Sequence, residues 1–326
     1  MVLKRNQTIV GEFILLGLSS MYVLQVVFSL LLFLMYMVTL VGNLLLIFMV
    51  KLNPRLQTPM YFFLTNLAII DICYATTVVP KMLANTLSQD GSISFMACAV
   101  QLYFHSALAV AECVILAIMA FDRYNAICKP LQYNMIMSQT LCVCLALGCW
   151  TVSFAVPVHL TLYAFRLPFC KSNRIDHFFC EMPPILHLAC ADIWFNEALE
   201  YAAVAIIFGG SFVLILVSYL FITLTILNIK STKQRRKAFS TCASHLTVVF
   251  LFYGTIQFMH LRPPSSYTPE RDRIVAIFYT VVTPMLNPII YSVRNKEIKV
   301  AIRKTLTVSM LKIISYYTQN NITLVP

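Results

Sequence analysis

Seven apolar stretches, each long enough to cross a lipid bilayer as a helix, take up most of this chain and decide what it can fold into. They run roughly over 23–50, 59–83, 96–126, 140–162, 197–228, 238–261 and 273–293. A spanning helix needs about 20 predominantly apolar residues. Seven spans and their connections therefore consume most of the 326 residues and leave no room for a separate soluble domain. Hydrophobic residues make up 60% of the chain and charged residues 11%, where soluble domains carry about 25% charged. A water-soluble core of this size cannot hide that much apolar surface, so the expected solvent is lipid. The fold class is then an all-α membrane protein, a seven-transmembrane helix bundle. Pro80, Pro157, Pro284 and Pro288 fall inside spans, where neighbouring helices satisfy the carbonyls they free.

The basic residues lie in short runs between apolar segments. The net charge of +11 thus reads as a topology signal and a contact for anionic lipid or an acidic partner, and not for nucleic acid. With the amino terminus outside, the inner side collects Lys51, Arg55, Arg123, Lys129, Lys230, Lys233, Arg235, Arg236 and Lys237. The tail adds Arg294, Lys296, Lys299, Arg303, Lys304 and Lys312, which brings the inner side to 15 of the 24 Lys and Arg residues. The acids run the other way: Asp122 and Glu297 are inside, nine of the 13 are outside, and Asp71 and Glu112 lie within spans. The positive-inside rule then divides the chain into an extracellular amino terminus (1–22), a spanning domain (23–293) and a cytoplasmic tail (294–326). The expected location is the plasma membrane. The first apolar run is too long for the core of a cleaved signal peptide and reads as a signal anchor. Asn6-Gln7-Thr8 is a glycosylation sequon on the outer side, whereas Asn321-Ile322-Thr323 falls inside. After the seventh span, Ile298, Ala301, Ile302 and Leu306 share one face of a basic segment, the pattern of a short amphipathic helix on the inner leaflet.

Cys73, Cys113, Cys128, Cys142, Cys144, Cys149 and Cys242 fall in or beside apolar segments, where cysteine behaves as a small core residue. Cys98, Cys170, Cys180 and Cys190 gather on the outer side, which points to an oxidising compartment. Four cysteines allow three connectivities that sequence alone cannot separate. His177-Phe178-Phe179-Cys180-Glu181 offers three ligands for a soft metal; the competing reading is structural, with Cys180 spent in a disulfide. His105, His159 and His260 stand alone and read as packing residues. No Ser-His-Asp cluster, phosphate loop or zinc spacing appears, so the chain is not expected to be an enzyme. A transporter would carry inverted repeats and unwound midplane helices, and no internal duplication is visible.

Two motifs remain, each at the inner end of a span. Asp122-Arg123-Tyr124 closes the third. An acid–arginine pair at a membrane boundary is costly and marks function: the acid locks the arginine to its own helix until neighbouring helices separate and the arginine reaches an inserted partner. Asn287-Pro288-Ile289-Ile290-Tyr291 closes the seventh. Its proline weakens the helix, Asn287 bonds the exposed backbone, and Tyr291 is free to swing between polar partners.

Together these motifs resemble those of rhodopsin-like G-protein-coupled receptors. Longer strings narrow the resemblance to odorant (olfactory) receptors: Leu56 through Leu64 (LQTPMYFFL), Pro80 through Leu83 (PKML), Met119 through Tyr133 (MAFDRYNAICKPLQY), Lys237 through Leu246 (KAFSTCASHL) and Pro284 through Ile298 (PMLNPIIYSVRNKEI). They run in order through nearly the whole chain. Two positions depart: Phe121 stands where the family usually has tyrosine, and Asn125 where it has valine.

The resemblance implies a function and a set of sites. A small, mostly apolar volatile would bind in the outer half of the bundle, against His105, Ser106, Ala109 and Val110 of the third span. The fifth span would add Ile206, Ile207 and Ser211, the sixth Tyr253 and Thr255, and the seventh Phe278 and Tyr279. His105 aligns with the position where biogenic-amine receptors place a carboxylate, so a cationic amine lacks its usual anchor and uncharged or weakly polar ligands are expected. Asp122, Arg123, Tyr124, Lys237, Asn287, Pro288 and Tyr291 would couple the helices to a heterotrimeric G protein of the stimulatory olfactory type, raising cyclic AMP. The family's disulfides would pair Cys98 with Cys180 and Cys170 with Cys190, holding the 163–196 loop as a lid. Asp71 and Glu112, near Asn43 and Asn287, allow two readings: oxygen ligands for a sodium ion, or a hydrogen-bonded network with one acid protonated. No other cofactor is expected.

Overall fold

The structure, a computed structural model, describes residues 11–17, 21–170, 172–260, 269–294, 298 and 300. The Asn6 sequon and almost all of the expected amphipathic tail helix lie outside them, as does the side chain of Lys237.

Seven helices are long and apolar enough to cross a membrane. The first four are α1 (Tyr22–Leu52), α2 (Pro59–Ser88), α3 (Phe95–Cys128) and, after the short α4 (Tyr133–Ile136), α5 (Gln139–Phe165). The loop beyond α5 carries α6 (Met182–Leu186). The fifth span is composite: α7 (Trp194–Val204), a π-helical turn (Ala205–Gly209), then α8 (Gly210–Leu227). The sixth is α9 (Thr232–His260). The seventh is α10 (Pro269–Ile277), a second π turn (Phe278–Val282) and α11 (Thr283–Arg294).

Polarity is inverted relative to a soluble bundle. Val23, Leu34, Leu214 and Phe250 are 60% exposed or more, while Asn43, Asp71, Glu112, Asp122, His245 and Asn287 are buried inside. Apolar flanks facing lipid and polar groups turned inward are what a hydrocarbon solvent demands. The third helix runs through the centre, packed on α2, α5, α8 and α9.

Several helices outlast the apolar runs that announce them. The second continues to Ser88, and the sixth begins at Thr232, so that Lys233, Arg235 and Arg236 are helical rather than loop. A helix satisfies its own backbone whatever its side chains, so it need not stop where lipid does. Ser94 and Ser138 cap α3 and α5, each accepting a backbone N–H three residues on, the ordinary N-terminal device.

Sequence periodicity held no sign of a small three-stranded sheet at one end of the bundle, called here the β end. β1 (Glu12–Leu15) lies between β2 (Ser92–Ser94), antiparallel, and β3 (Arg174–Ile175), parallel. It buries Phe13 completely, ring to ring with Phe95 and Phe169. Cys98–Cys180 and Cys170–Cys190 are bonded, with Cα atoms 5.5 and 5.8 Å apart. The first bridge ties the 166–193 loop to α3; the second closes the loop on itself.

Candidate functional site

Beneath the β end lies a cavity of about 90 Å³. Its inner wall is α3, which presents Leu102, His105, Ser106, Ala109 and Val110 at successive turns of one face. Across from it stand Val156, Pro157 and Leu160 of α5, and Ile256 and Met259 of α9. Tyr74 comes from α2, and Ala203 and Val204 from α7. The loop supplies Glu181 and Met182 as a ceiling. This space is smaller than the apolar cavity of about 150 Å³ that takes a benzene ring, so a ring-sized ligand requires the walls to move apart.

Both π turns face the cavity. The one in the fifth span places Ile207 and Phe208 on the wall, and the one in the seventh places Tyr279 there. A π turn adds a residue to the helical repeat and re-aims the side chains beyond it, which redistributes the candidates read from sequence. His105, Ser106, Ala109, Val110, Ile207 and Tyr279 are brought together at the cavity. Ile206 and Phe278 point away, 74% and 45% exposed. Tyr253 lies beyond the lining, its hydroxyl 3.1 Å from the Cys113 carbonyl and 3.0 Å from the Cys113 sulfur, and Ser211 is buried nearby. Thr255 donates to its own helix at Leu251 and Phe252.

At the polar end of the cavity, His105 and Tyr279 were read from sequence, whereas the Glu181 and Glu200 carboxylates were not. His105 is stacked on Tyr74 with ring centres 4.9 Å apart, and meets Phe179 at 4.7 Å and Tyr279 at 6.0 Å. The Tyr279 hydroxyl donates to Glu181 Oε1 at 2.5 Å. Glu200, from α7, brings a second carboxylate to the same wall. The third span holds no acid at His105, yet two carboxylates reach the cavity from elsewhere. His177 lies 3.5 Å from Glu181 Oε2. Burial, then the charges of His105 and Arg273, holds its imidazole down to about 3, so it is neutral near neutral pH. Gln101 sets the loop in place, donating to the Thr77 carbonyl at 2.8 Å and accepting from the Cys180 N–H at 2.9 Å.

Midway along the bundle, Asn287 donates to Asp71 Oδ1 at 2.9 Å, and Asn43 donates to the carbonyls of Thr39 and Pro284 at 3.0 and 3.2 Å. Among the described residues, five buried oxygens here have no hydrogen-bond partner: Asp71 Oδ2, both Glu112 carboxylate oxygens, Asn43 Oδ1 and Asn287 Oδ1. Orphaned buried acceptors are expensive, and an all-oxygen set suits a hard cation. The residues therefore fit sodium. Among the described residues, no three His, Cys, Asp or Glu side chains group into a metal site, and Cys180 is spent in its disulfide.

At the end opposite the strands, Arg123 Nε is 4.0 Å from Asp122 Oδ2, and Asp122 also accepts from the Tyr133 hydroxyl at 2.7 Å. His245 bridges three helices. Its Nε2 donates to the Leu116 carbonyl at 3.1 Å, so Nδ1 must accept from the Tyr219 hydroxyl at 2.9 Å. Tyr291 is buried, its hydroxyl without a partner among the described residues. Tyr124 packs edge-on against Phe221 and lies under the Lys129 ammonium. Pro288 packs against Gly42, where an added Cβ would come within 3.1 Å of its ring. Asn125 is buried and spends its amide on the Phe121 carbonyl at 2.8 Å, while Phe121 faces outward, 39% exposed. Sequence reasoning singled out no role for Tyr133, Tyr219 or His245, because their partners lie on other helices.

Residues 32–309 match the family model described as "Olfactory receptor". The chain is similar to Olfactory receptor 5G26 of Mus musculus, 47% identical over 304 residues that cover 93% of this chain and 96% of that one. It is 46% identical to Olfactory receptor 8U9 of Homo sapiens over 299 residues, covering 92% and 97%, and 44% identical to Olfactory receptor 5AR1 of Mus musculus over 301 residues, covering 92% and 97%.

Proposed function

The chain belongs to the olfactory receptor family, a family of odorant-sensing membrane receptors rather than enzymes, and from that premise we propose how it senses and signals. A small, mostly apolar volatile enters the cavity beneath the β end and is held against His105, Ser106, Ala109, Val110, Ile207 and Tyr279. The observation that carries this reading is the cavity itself: apolar walls, a few convergent polar groups and a disulfide-anchored ceiling are the makings of a small-molecule site.

The β end faces outward, in keeping with the charge asymmetry of the loops. The protein resides in the plasma membrane with its amino terminus, glycosylated at Asn6, outside. Ligand binding favours the packing in which α9 has swung away from α3 at the inner end. In that packing His245 loses the Leu116 carbonyl, Arg123 leaves Asp122, and Tyr291 finds a polar partner. The cleft that opens, with Lys237 at its edge, receives a heterotrimeric G protein of the stimulatory olfactory type and raises cyclic AMP. Sodium held by Asp71 and Glu112, with oxygens of Asn43 and Asn287, stabilises the closed packing.

The test is a cyclic AMP reporter in cells challenged with a volatile panel. A response is expected from the native chain and none from Arg123→Ala at matched surface expression. An undiminished response in that variant would refute the arginine's role.

A further inference from the structure

We propose that Arg273 is a positioning residue for the ligand site: it clips the cavity's ceiling to the seventh span and so sets how large a volatile the site admits. This inference rests on the cavity being the ligand site.

The clip follows from how two short strands end. β1 and β3 are parallel, with Leu15 opposite Ile175, so the chain leaves both strands side by side, toward Gly17 and Asp176. Arg273 reaches both from α10. Its Nη1 donates to the Gly17 carbonyl at 2.8 Å, and its Nη2 lies 3.3 Å from Asp176 Oδ1. Glu270, one turn back on α10, lies 3.9 Å from the same nitrogen. A guanidinium presents its donors in a fixed planar fork, so one side chain engages the amino-terminal segment and the loop at once. The arginine side chain is 15% exposed, which spares these contacts much of the screening that weakens surface pairs.

On its other side the ceiling is hinged. Cys180 is bonded to Cys98 of α3, and its N–H donates to Gln101. Toward the seventh span the hold is non-covalent: Asp176 on Arg273, and Glu181 on the Tyr279 hydroxyl. Glu181 adjoins the hinge, whereas Asp176 stands four residues from it and has the longer lever. Releasing Arg273 therefore lets the ceiling, Glu181 and Met182, lift about the α3 bridge. A cavity of about 90 Å³ must enlarge to take a ring that needs about 150 Å³, and a lifted ceiling supplies that room without parting the helices. With the clip closed, short acyclic volatiles are favoured; with it open, discrimination by size fades.

The experiment measures access to the cavity directly and needs no identified odorant. The full-length receptor in nanodiscs carries Ala109→Cys on the cavity wall. Methyl and benzyl methanethiosulfonate are the probes, and mass spectrometry follows labelling of that thiol. With Arg273 intact, the methyl reagent is expected to react at least about 10-fold faster than the benzyl reagent. Arg273→Gln should speed the benzyl reagent about 10- to 100-fold, the size of a lost charge-assisted hydrogen bond, and bring the two rates within about 3-fold of each other. Arg273→Lys keeps the charge but not the fork, and should fall between. Asp176→Asn should add nothing to Arg273→Gln, because the partner is already released. Unmoved rates in Arg273→Gln, or further acceleration on adding Asp176→Asn, overturn the clip. So does an equal acceleration at Cys242, buried toward the inner end of α9, which marks a general loosening of the fold. If instead the methyl label on Ala109→Cys leaves every volatile response in the cyclic AMP reporter unchanged, the cavity reading itself fails, whatever the rates in Arg273→Gln.

Discussion

Gly91 lies beneath the carbonyl of Leu15 so closely that a Cβ there would stand 2.4 Å from the oxygen. Ordinary contact begins at 3.4 Å, so Gly91→Ala must push β1 away by about 1 Å, the difference between the two. The neighbour is backbone, and no side-chain rotation relieves the clash. Retreat breaks the Leu15 N–H to Gly91 carbonyl bond of 2.8 Å and strains the Phe95 N–H to Gly11 carbonyl bond of 3.1 Å. It also loosens the pairing of Phe13 with Ile93, and with it the full burial of the Phe13 ring. At about 0.5–1.5 kcal/mol net for each backbone bond, plus part of the ~1.5–3 kcal/mol that burying a phenylalanine contributes, the segment loses about 2–4 kcal/mol. That corresponds to about 30- to 1,000-fold faster exchange of its amides. Hydrogen exchange by mass spectrometry, in nanodiscs, on peptides covering 11–17 and 91–95 measures this directly. Amides in α3 near Asp122 should be unchanged. Unaltered protection of 11–17 in Gly91→Ala would refute the argument that close approach, and not backbone conformation, requires glycine there; no glycine in the described residues has a positive φ.

Four other outcomes can be drawn from the geometry. His177 is neutral and buried, with a folded pKa near 3 against 6.5 unfolded; the depressed value means its contribution is complete above pH 6.5 and declines as pH falls toward 3, by at most ~1.4 kcal/mol per unit. Acid unfolding of the 166–193 loop should therefore flatten in His177→Phe, measured by proteolysis across pH. Breaking the Cys170–Cys190 bridge, which spans 20 residues, by Cys170→Ser/Cys190→Ser should cost about 3 kcal/mol of loop stability and cut odorant potency in the reporter assay without lowering surface expression tenfold. If sodium occupies the Asp71–Glu112 cluster, exchanging it for N-methylglucamine should lower the melting temperature of wild type but not of Glu112→Gln; at ten times its dissociation constant the ion stabilises by about 1.4 kcal/mol. Tyr219→Phe strips the donor from His245 Nδ1 and should raise ligand-free cyclic AMP, since it loosens α9 from its neighbours; unchanged basal signalling would count against the three-helix bridge as a restraint on the closed state.

What the sequence made legible was whatever has a local or solvent-driven cause. Seven spans could be read because hydrocarbon rejects unpaired backbone, so each crossing demands a long apolar helix. Asp122-Arg123 and Asn287-Pro288 stood out because charge, amide and proline are anomalous inside such helices. The β end escaped notice because its strands are two to four residues long, and β1 is held by Gly91 and Asn173 carbonyls that no periodicity connects to it. The same holds for the cavity. A one-face reading of the third span found His105, Ser106, Ala109 and Val110, because α3 is regular there. The family resemblance carried Ile206 and Phe278 onto the fifth and seventh spans beside Ile207 and Tyr279; the first two face outward and the last two line the cavity, all four lying in π turns whose wider repeat no sequence period announces.

Those π turns also bear on how a ligand near one end could be felt at the other. Each lies where a span meets the cavity, and each has a hydrogen-bond ladder wider than its flanking helices. Ligand contact with Ile207 or Tyr279 therefore bears directly on the π turn of its span. Below the second turn the chain passes directly to Pro284, whose carbonyl holds Asn43, and to Asn287, which holds Asp71. Tightening that turn by one residue would rotate Asn287 and Tyr291 together about the helix axis. The Asn287–Asp71 bond and the Tyr291 hydroxyl then lie on one helix, α11, on either side of Pro288, so a shift at the π turn reaches both.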